Sequence, residues 1–440
     1  MERGAPRTLF GTDGVRGVAG EFLTADLALR LGRAAATSSP AESPQALIVR
    51  DTRESGEMLE AALAAGIAAG GGHALLGGVL PTPGAAVLVR RYGFDLAAVV
   101  SASHNPYEDN GIKFFGPGGT KIEDNQEAEI ERLLDRSGAR IGRVRELHGA
   151  AGDYLRELEL RFRDLDLSGR RILLDCANGA TYRVAPEIFR RLGADVDALA
   201  VEPDGRNINR ECGSTNVERL AERMDGHDAG FAFDGDGDRV LAVDRNGTVV
   251  DGDELMALAA LHLRERGRLA GEGVAVTVMT NYGFHRAMAA AGIEVTTTPV
   301  GDRHVLAELL RRGWALGGEQ SGHIIDTGFV PAGDGTAAAL LALEALDGRD
   351  LSERSAMEKL PQRLVNVRVA DRAALEGAAE VWAAVERESQ QLDGRGRVLV
   401  RPSGTEPLVR VMVEAPEASE CDVIAARLVQ VVEAELGVRV

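Results

Sequence analysis

Three short loops carry residue types that could do chemistry together. In "SASHNP" an apolar run ends abruptly on Ser103 and His104. In "DGDGDR", Asp234, Asp236 and Asp238 alternate with glycine, and Arg239 follows. In "GGEQSGH", Glu319, Ser321 and His323 stand among glycines. The second loop is the most specific. Alternating glycines let a short loop wrap until three carboxylates converge on one hard cation. Oxygen-only ligands suit Mg²⁺, which keeps positions open for a phosphate oxygen. A calcium EF-hand is excluded, because the loop has Arg239 where that motif needs glycine and Arg245 where it needs glutamate.

Ser103 invites comparison with serine hydrolases, but the chain has no G-x-S-x-G elbow around it. Adjacent residues on a tight loop are also expected to make a poor serine–histidine pair. A serine that carries a phosphoryl group, facing a metal loop, fits better, since covalent catalysis divides one hard transfer into two easier ones. His104 can position the loop or move protons. Lys113, in "NGIK", can surrender its proton if crowded by positive charge, which a guanidinium cannot. It is a candidate acid/base or a charge clamp on the transferring group.

Further polar loops extend the set. "GTDGVRG" (Gly11 to Gly17) can bring backbone and the Arg16 guanidinium close to phosphate. Glu319 can accept from two neighbouring sugar hydroxyls, and Ser321 can donate or accept. "PVGDRHV" adds Asp302, Arg303 and His304 nearby. In "RPSGTEP", Arg401 can bind phosphate bidentately, with further hydrogen bonds from Ser403, Gly404 and Thr405. Arg410, on the following strand, can assist.

The elements that must hold these loops repeat. Segments starting at Ala46 ("ALIVRDTRESGEM"), Arg170 ("RRILLDCANGATYRV") and Gly273 ("GVAVTVMTNYGFHR") each read as apolar strand, polar turn, amphipathic helix, glycine and second strand. Each continues through another helix into a short strand, ending in "LAAVVSASHNP", "AGFAFDGDGDR" and "GWALGGEQSGH". Three similar α/β domains with mixed sheets are therefore expected, each with a polar loop at a strand's carboxyl end, where open α/β sheets place ligands. After Pro361 the pattern changes to a smaller α+β domain, with a helix around "ALEGAAEVWAAVERESQQL" and the loop "RPSGTEP" between two strands. The expected domains are 1–152 with the serine loop, 153–252 with the metal loop, 253–364 with the sugar loop and 365–440 with the phosphate loop.

The bulk numbers agree with this and exclude other classes. Of 440 residues 45% are apolar and 27% charged, as in ordinary globular proteins. A formal charge of −18 argues against non-specific binding to nucleic acid or anionic membrane, while leaving room for a phosphorylated substrate in a locally basic site. The three cysteines, Cys176, Cys212 and Cys421, offer no disulfide framework or zinc spacing. With no apolar signal core or long apolar run, the chain reads as full-length and cytoplasmic. Only Lys113, Lys121 and Lys359 are lysines among 50 basic residues, so a surviving lysine hints that arginine would not serve.

Taken in order and spacing from "LFGTDGVRG" to "RPSGTEPLVRVMVE", these motifs resemble the α-D-phosphohexomutase family, and the loops are most similar to its glucosamine-phosphate branch. The resemblance implies four domains around a central cleft and a small phosphosugar substrate. It implies interconversion of glucosamine 6-phosphate and glucosamine 1-phosphate through a bisphosphate intermediate, supplying UDP-N-acetylglucosamine synthesis. Ser103 would be the phosphoserine. Asp234, Asp236 and Asp238, with a phosphoserine oxygen, would hold one Mg²⁺ per subunit. Arg16, Lys113 and Arg239, with His104, would surround the transferring group. Glu319, Ser321 and His323 would read the sugar, and Arg401, Ser403, Gly404, Thr405 and Arg410 would hold the other phosphate. A hexose 1,6-bisphosphate activator and a homodimer are implied too. The competing readings are a phosphomannomutase/phosphoglucomutase, a Mg²⁺-dependent phosphatase and a non-catalytic phosphosugar-binding protein.

Overall fold

A computed structural model describes residues 9–11, 13–136, 140–403 and 406–438. These fall into two compact units, Met1–Met279 with Ile293–Arg354, and Thr280–Gly292 with Ser355–Val440.

The first unit contains three sheets built on one plan. In the first, the strand Gln45–Arg50 lies between parallel neighbours His73–Val79 and Leu96–Val100, and Leu96–Val100 pairs antiparallel with Asp109–Phe115. In the second, Arg171–Asp175 lies between Asp195–Leu199 and Ala229–Phe233, and Val240–Asp244 runs antiparallel to the latter. In the third, Gly273–Thr277 lies between Glu294–Thr298 and Leu316–Gly318, and Ile324–Asp326 runs antiparallel. The order is the same each time: second, first, third, fourth, with only the fourth reversed. The first sheet adds Val15–Val18 and Arg143–Glu146 at its edges, and the second adds Val249–Val250.

This order follows from the residues. Leu96–Val100, Ala229–Phe233 and Gly273–Thr277 are buried along their whole length. Continuous apolar runs of that kind belong in the middle of sheets covered on both faces. Each third strand then leaves the sheet at its carboxyl end and returns as the fourth. That connection is "SASHNPYE" in the first sheet, "DGDGDR" in the second and "EQSGH" in the third. The sequence repeat therefore delivers the three chemical loops at one equivalent topological position.

The second unit carries an antiparallel sheet of Gln362–Arg368, Leu408–Glu414 and Arg397–Pro402, packed with the helices Ala379–Leu392 and Ala418–Leu436. Val367, Val400, Val409, Val411 and Val413 form its core with Val381, Ile424 and Leu428. The first of these helices starts later than its sequence pattern suggests. Residues Arg372–Gly377 form a 3₁₀ turn, begun by the Asp371 side chain accepting from Ala373 N–H, and the α-helix begins only at Ala379. The helix Tyr282–Ala291 belongs to this unit. Asn281 donates to the Leu360 carbonyl at 3.0 Å, and Tyr282 N–H donates to Glu414 Oε2 at 3.1 Å.

Candidate active site

Ser103 and the aspartate loop meet. The Ser103 hydroxyl donates to Asp234 Oδ2 at 2.7 Å, and both side chains are buried. The close approach depends on glycine: a Cβ on Gly235 would lie 2.5 Å from the Ser103 carbonyl oxygen. Gly237 turns the loop at φ +72°, in the left-handed region where other residues are strained. Ser103 itself sits at φ 53°. A non-glycine residue there costs of order 1–3 kcal/mol and persists only where its surroundings impose it. The expectation of a poor pairing with the adjacent histidine is corrected here. In this left-handed turn Ser103 Oγ lies 3.2 Å from His104 Nδ1.

One ligand oxygen from each of Asp234, Asp236 and Asp238 lies within 4.8 Å of the others. Burial first, then the charges of Asp238 and Asp236, push the Asp234 carboxyl well above its ordinary range. Asp236 Oδ1 and Asp238 Oδ1 are buried with no hydrogen-bond partner. Buried carboxylate oxygens left unsatisfied are costly. A hard divalent cation satisfies them, so the residues present fit Mg²⁺.

Lys113 is almost wholly buried, with its ammonium 2.9 Å from Asp236 Oδ2, 3.2 Å from Asp13 and 3.9 Å from Asp238. Burial alone would lower its pKa, but Asp13, Asp236 and Asp238 outweigh burial and hold it above the usual lysine range. Crowding by carboxylates is the reverse of what an easily deprotonated lysine needs. Of the two roles left open by the sequence, the surroundings favour a fixed positive charge. Arg16 pairs with Asp13, and Arg239 ends the aspartate loop, its backbone N–H donating to Asp234 Oδ1 at 3.1 Å. His104 is pushed toward its neutral form, first by burial and then by Arg239 and Arg16.

A cavity of about 530 Å³ opens over these groups. Asp13, Arg16, Ser103, Asp238, Arg239, Gly301, Asp302, Glu319 and His323 are among the residues that line it. A larger cavity of about 750 Å³ shares Asp238, Asp302 and His323 with it and has walls of Phe115, Ile122, Leu306 and Leu310. Glu319 Oε1 accepts from Gly301 N–H at 2.9 Å, which ties the "GGEQSGH" loop to "PVGDR". His323 stands 3.6 Å from Asp238 and 3.8 Å from Asp302. Burial disfavours its charge, but Asp238 prevails and raises its pKa. Ser321 differs from its neighbours: it is exposed and lines neither cavity.

The sequence motifs leave several members of this network unassigned. Asp13 receives Lys113, Lys121 and Arg16 together. Lys121 also donates to Asp302 Oδ2 at 2.5 Å, joining the segment after Asp109–Phe115 in the first sheet to the "PVGDR" turn after Glu294–Thr298 in the third. Thr82 donates to Asp236 Oδ2 at 2.7 Å. The scarcity of lysine was the one signal pointing to Lys121; Thr82 gave none.

In the second unit, Arg401 and Arg410 face one another directly across two antiparallel strands. Like charges so placed repel. Burial, and then Arg410, disfavour the charge on Arg401, and Arg410 Nε is buried without a hydrogen-bond partner. Such a pair suits an anion. Ser403, also buried, follows the strand Arg397–Pro402; its carbonyl accepts from Arg372 at 2.7 Å. Gly404 and Thr405 lie outside the described residues.

Comparison with known proteins adds the following. Four family models match in order, described as phosphoglucomutase/phosphomannomutase α/β/α domain I (residues 7–140), domain II (152–247), domain III (251–364) and C-terminal domain (364–431). A curated relative from Moorella thermoacetica, named phosphoglucosamine mutase, is 52% identical over 96% of this chain and 98% of its own. A crystal structure of a phosphoglucomutase/phosphomannomutase family protein from Burkholderia thailandensis shares the fold with a TM-score of 0.81 at 24% identity, covering 98% and 99% of the two chains. The Aspergillus fumigatus N-acetylphosphoglucosamine mutase, solved in complex with GlcNAc-6P and magnesium, has a TM-score of 0.71 at 20% identity, covering 97% and 96%.

Proposed function

This chain belongs to the phosphoglucomutase/phosphomannomutase family, and on that premise we propose that it interconverts glucosamine 6-phosphate and glucosamine 1-phosphate with Ser103 as phosphoryl carrier. The observation that carries this reading is the contact between the Ser103 hydroxyl and Asp234 in a carboxylate cluster where two buried oxygens, Asp236 Oδ1 and Asp238 Oδ1, lack a hydrogen-bond partner. The amino-sugar substrate is supported by the name of the Moorella relative, which matches nearly end to end.

In the proposed reaction, phosphoserine 103 gives its phosphoryl group to the free sugar hydroxyl. The bond from phosphorus to Oγ breaks as the bond to the sugar oxygen forms, and the proton of that hydroxyl is released. The resulting bisphosphate turns over, and its other phosphoryl group returns to Ser103, so that the net change is isomerisation. Asp234, Asp236 and Asp238, with an oxygen of the phosphorylated serine, would hold Mg²⁺, which when bound neutralises charge on the transferring group. Lys113, Arg16 and Arg239 supply fixed positive charge to the same group. His104, with Nδ1 3.2 Å from Oγ and its charge disfavoured first by burial, takes the released proton in this proposal. Glu319 and His323 face the sugar from the cavity wall. Arg401, Arg410 and Ser403, with Gly404 and Thr405, hold the phosphate that is not reacting. Priming by a hexose 1,6-bisphosphate, a cytoplasmic location, a homodimer and a supply of UDP-N-acetylglucosamine precursors complete the proposal. The described residues contain no helix long and apolar enough to cross a membrane.

Coupled assays with glucosamine, glucose and mannose phosphates in parallel test it. Preferential turnover of glucosamine 6-phosphate is expected. Preference for glucose or mannose phosphates would replace the substrate, and release of free phosphate without isomer would replace the reaction.

A further inference from the structure

Arg53 follows the first strand of the first sheet, in "RDTRESGEM", and touches none of the reacting groups. Its side chain is fully buried, yet it carries a charge and five N–H donors. All the donors converge on one place. Nε donates to Asp51 Oδ2 at 2.8 Å. Nη2 donates to the carbonyls of Ser103 and Asn105, each at 2.9 Å. Nη1 donates to the Asp109 carbonyl at 3.0 Å and to that of Pro106. Three carbonyls of the serine loop and that of Asp109, which opens the returning strand, thus close on a single guanidinium.

The other side of the Ser103 backbone is held through the same carboxylate. Ser103 N–H donates to Ser101 Oγ at 3.0 Å, and the Ser101 hydroxyl donates to Asp51 Oδ2 at 2.6 Å. A second donor arrives from the neighbouring domain: Asn209 Nδ2 reaches the Ser103 carbonyl at 2.9 Å and the Asn105 carbonyl at 3.1 Å. Asn209 sits at φ 58°, a backbone state that asparagine tolerates better than most residues. Ser103 also has a left-handed backbone, so the turn that aims its Oγ at Asp234 is imposed from behind by these donors.

We infer that Arg53, with Asp51 and Asn209, is a positioning clamp that keeps Ser103 Oγ aimed at the aspartate loop in both its free and phosphorylated states. This rests on the reading of Ser103 as phosphoryl carrier. Phosphoryl transfer depends on placement of the reacting atoms, and displacement of about 1 Å can cost about 100-fold in rate. A loop that merely had to be closed would not need a buried charge whose four Nη donors all go to its backbone carbonyls and to that of the residue following it. Lysine could keep the ion pair with Asp51 but, as a compact ammonium, could not span four carbonyls.

Two conservative variants of the full chain test the clamp. Arg53→Lys keeps the charge and loses the fork. Asn209→Asp keeps the left-handed backbone and the shape but replaces the donor with an acceptor. Each is charged with a hexose 1,6-bisphosphate in Mg²⁺, and phosphoserine formation is followed by intact mass, alongside kcat, KM and thermal melting. Slower charging and a kcat lower by about 10–100-fold are expected, with KM within about 2-fold of the parent and a cooperative melt retained. Parental charging rate and kcat in either folded variant would overturn the clamp; if Arg53→Lys does not fold, Asn209→Asp decides. A parent chain that cannot be charged at Ser103 would instead overturn the carrier reading. A parent that charges but does not turn over glucosamine 6-phosphate would overturn only the substrate, and the charging rates would still judge the clamp.

Discussion

Ser103 and Asp234, 131 residues apart in the chain, are joined by a 2.7 Å hydrogen bond between a buried hydroxyl and a buried carboxylate. Each stands at the same point of a repeated sheet, where the third strand turns back as the fourth. Two copies of one fold thus present a serine hydroxyl and an aspartate loop to each other, and a third copy presents Glu319 and His323 to the same cavity.

The carboxylate cluster predicts dependence on a divalent ion. Stripping the protein with a chelator should reduce turnover by about 100-fold or more, and Mg²⁺ should restore it. Asp236→Asn should raise the half-saturating Mg²⁺ concentration by at least about 10-fold. Activity titrated against Mg²⁺ in the parent and the variant reads both effects, and unchanged activity in the chelated enzyme would contradict them.

The facing arginines predict a defect in binding. Arg401→Ala removes a charged hydrogen-bond donor worth about 1.5–3 kcal/mol, so KM for both sugar phosphates should rise by about 10–100-fold. Steady-state kinetics in the two directions check this. A rise for one isomer alone would show that Arg401 does not serve both orientations of the substrate.

Asp334 predicts a pH-dependent stability beside the aspartate loop, since the N–H of the next residue, Gly335, donates to the Gly237 carbonyl at 3.0 Å. Its carboxyl begins the helix Gly335–Leu346 and accepts from the Tyr154 hydroxyl at 2.9 and 3.0 Å. Burial raises its pKa to about 7. The folded state therefore holds this proton more tightly than the unfolded state does, so stability falls as pH rises from about 4 to about 7 and levels off above. The loss from this one group is at most roughly 4 kcal/mol. Asp334→Asn keeps an acceptor and cannot ionise, so it should flatten the dependence. The two proteins should melt alike near pH 4, with the variant higher at pH 8; parallel melting profiles across that range would refute the assignment.

Much of this was legible in the residues, for identifiable reasons. Three aspartates alternating with glycine have few uses other than a cation, and apolar strands ending in polar loops show both the repeat and the place where chemistry sits. What was hidden depends on how loops from different domains meet. Lys121 reaches Asp13 across 108 residues and Asp302 across 181, and no local pattern encodes such distances. Thr82 and Arg53 look like ordinary residues of a helix start and a turn. The Ser103–His104 contact was misjudged because it needs a left-handed serine, a conformation that the loop's own sequence does not favour. Ser321 was read from the motif and from the resemblance; its exposure beside buried Glu319 and His323 shows that the alternating motif does not fix the burial of each member.

The most direct test of the account follows the phosphoryl group itself. The chain and its Ser103→Ala variant, both confirmed folded by melting, are incubated with a hexose 1,6-bisphosphate labelled in its phosphates, then digested and mapped by mass spectrometry. The account predicts label on the peptide containing Ser103 in the parent, its removal by added glucosamine 6-phosphate as glucosamine 1-phosphate forms, and neither label nor turnover in the variant. Turnover in Ser103→Ala at a rate near that of the parent, or label on any other residue that discharges to the sugar, would contradict it.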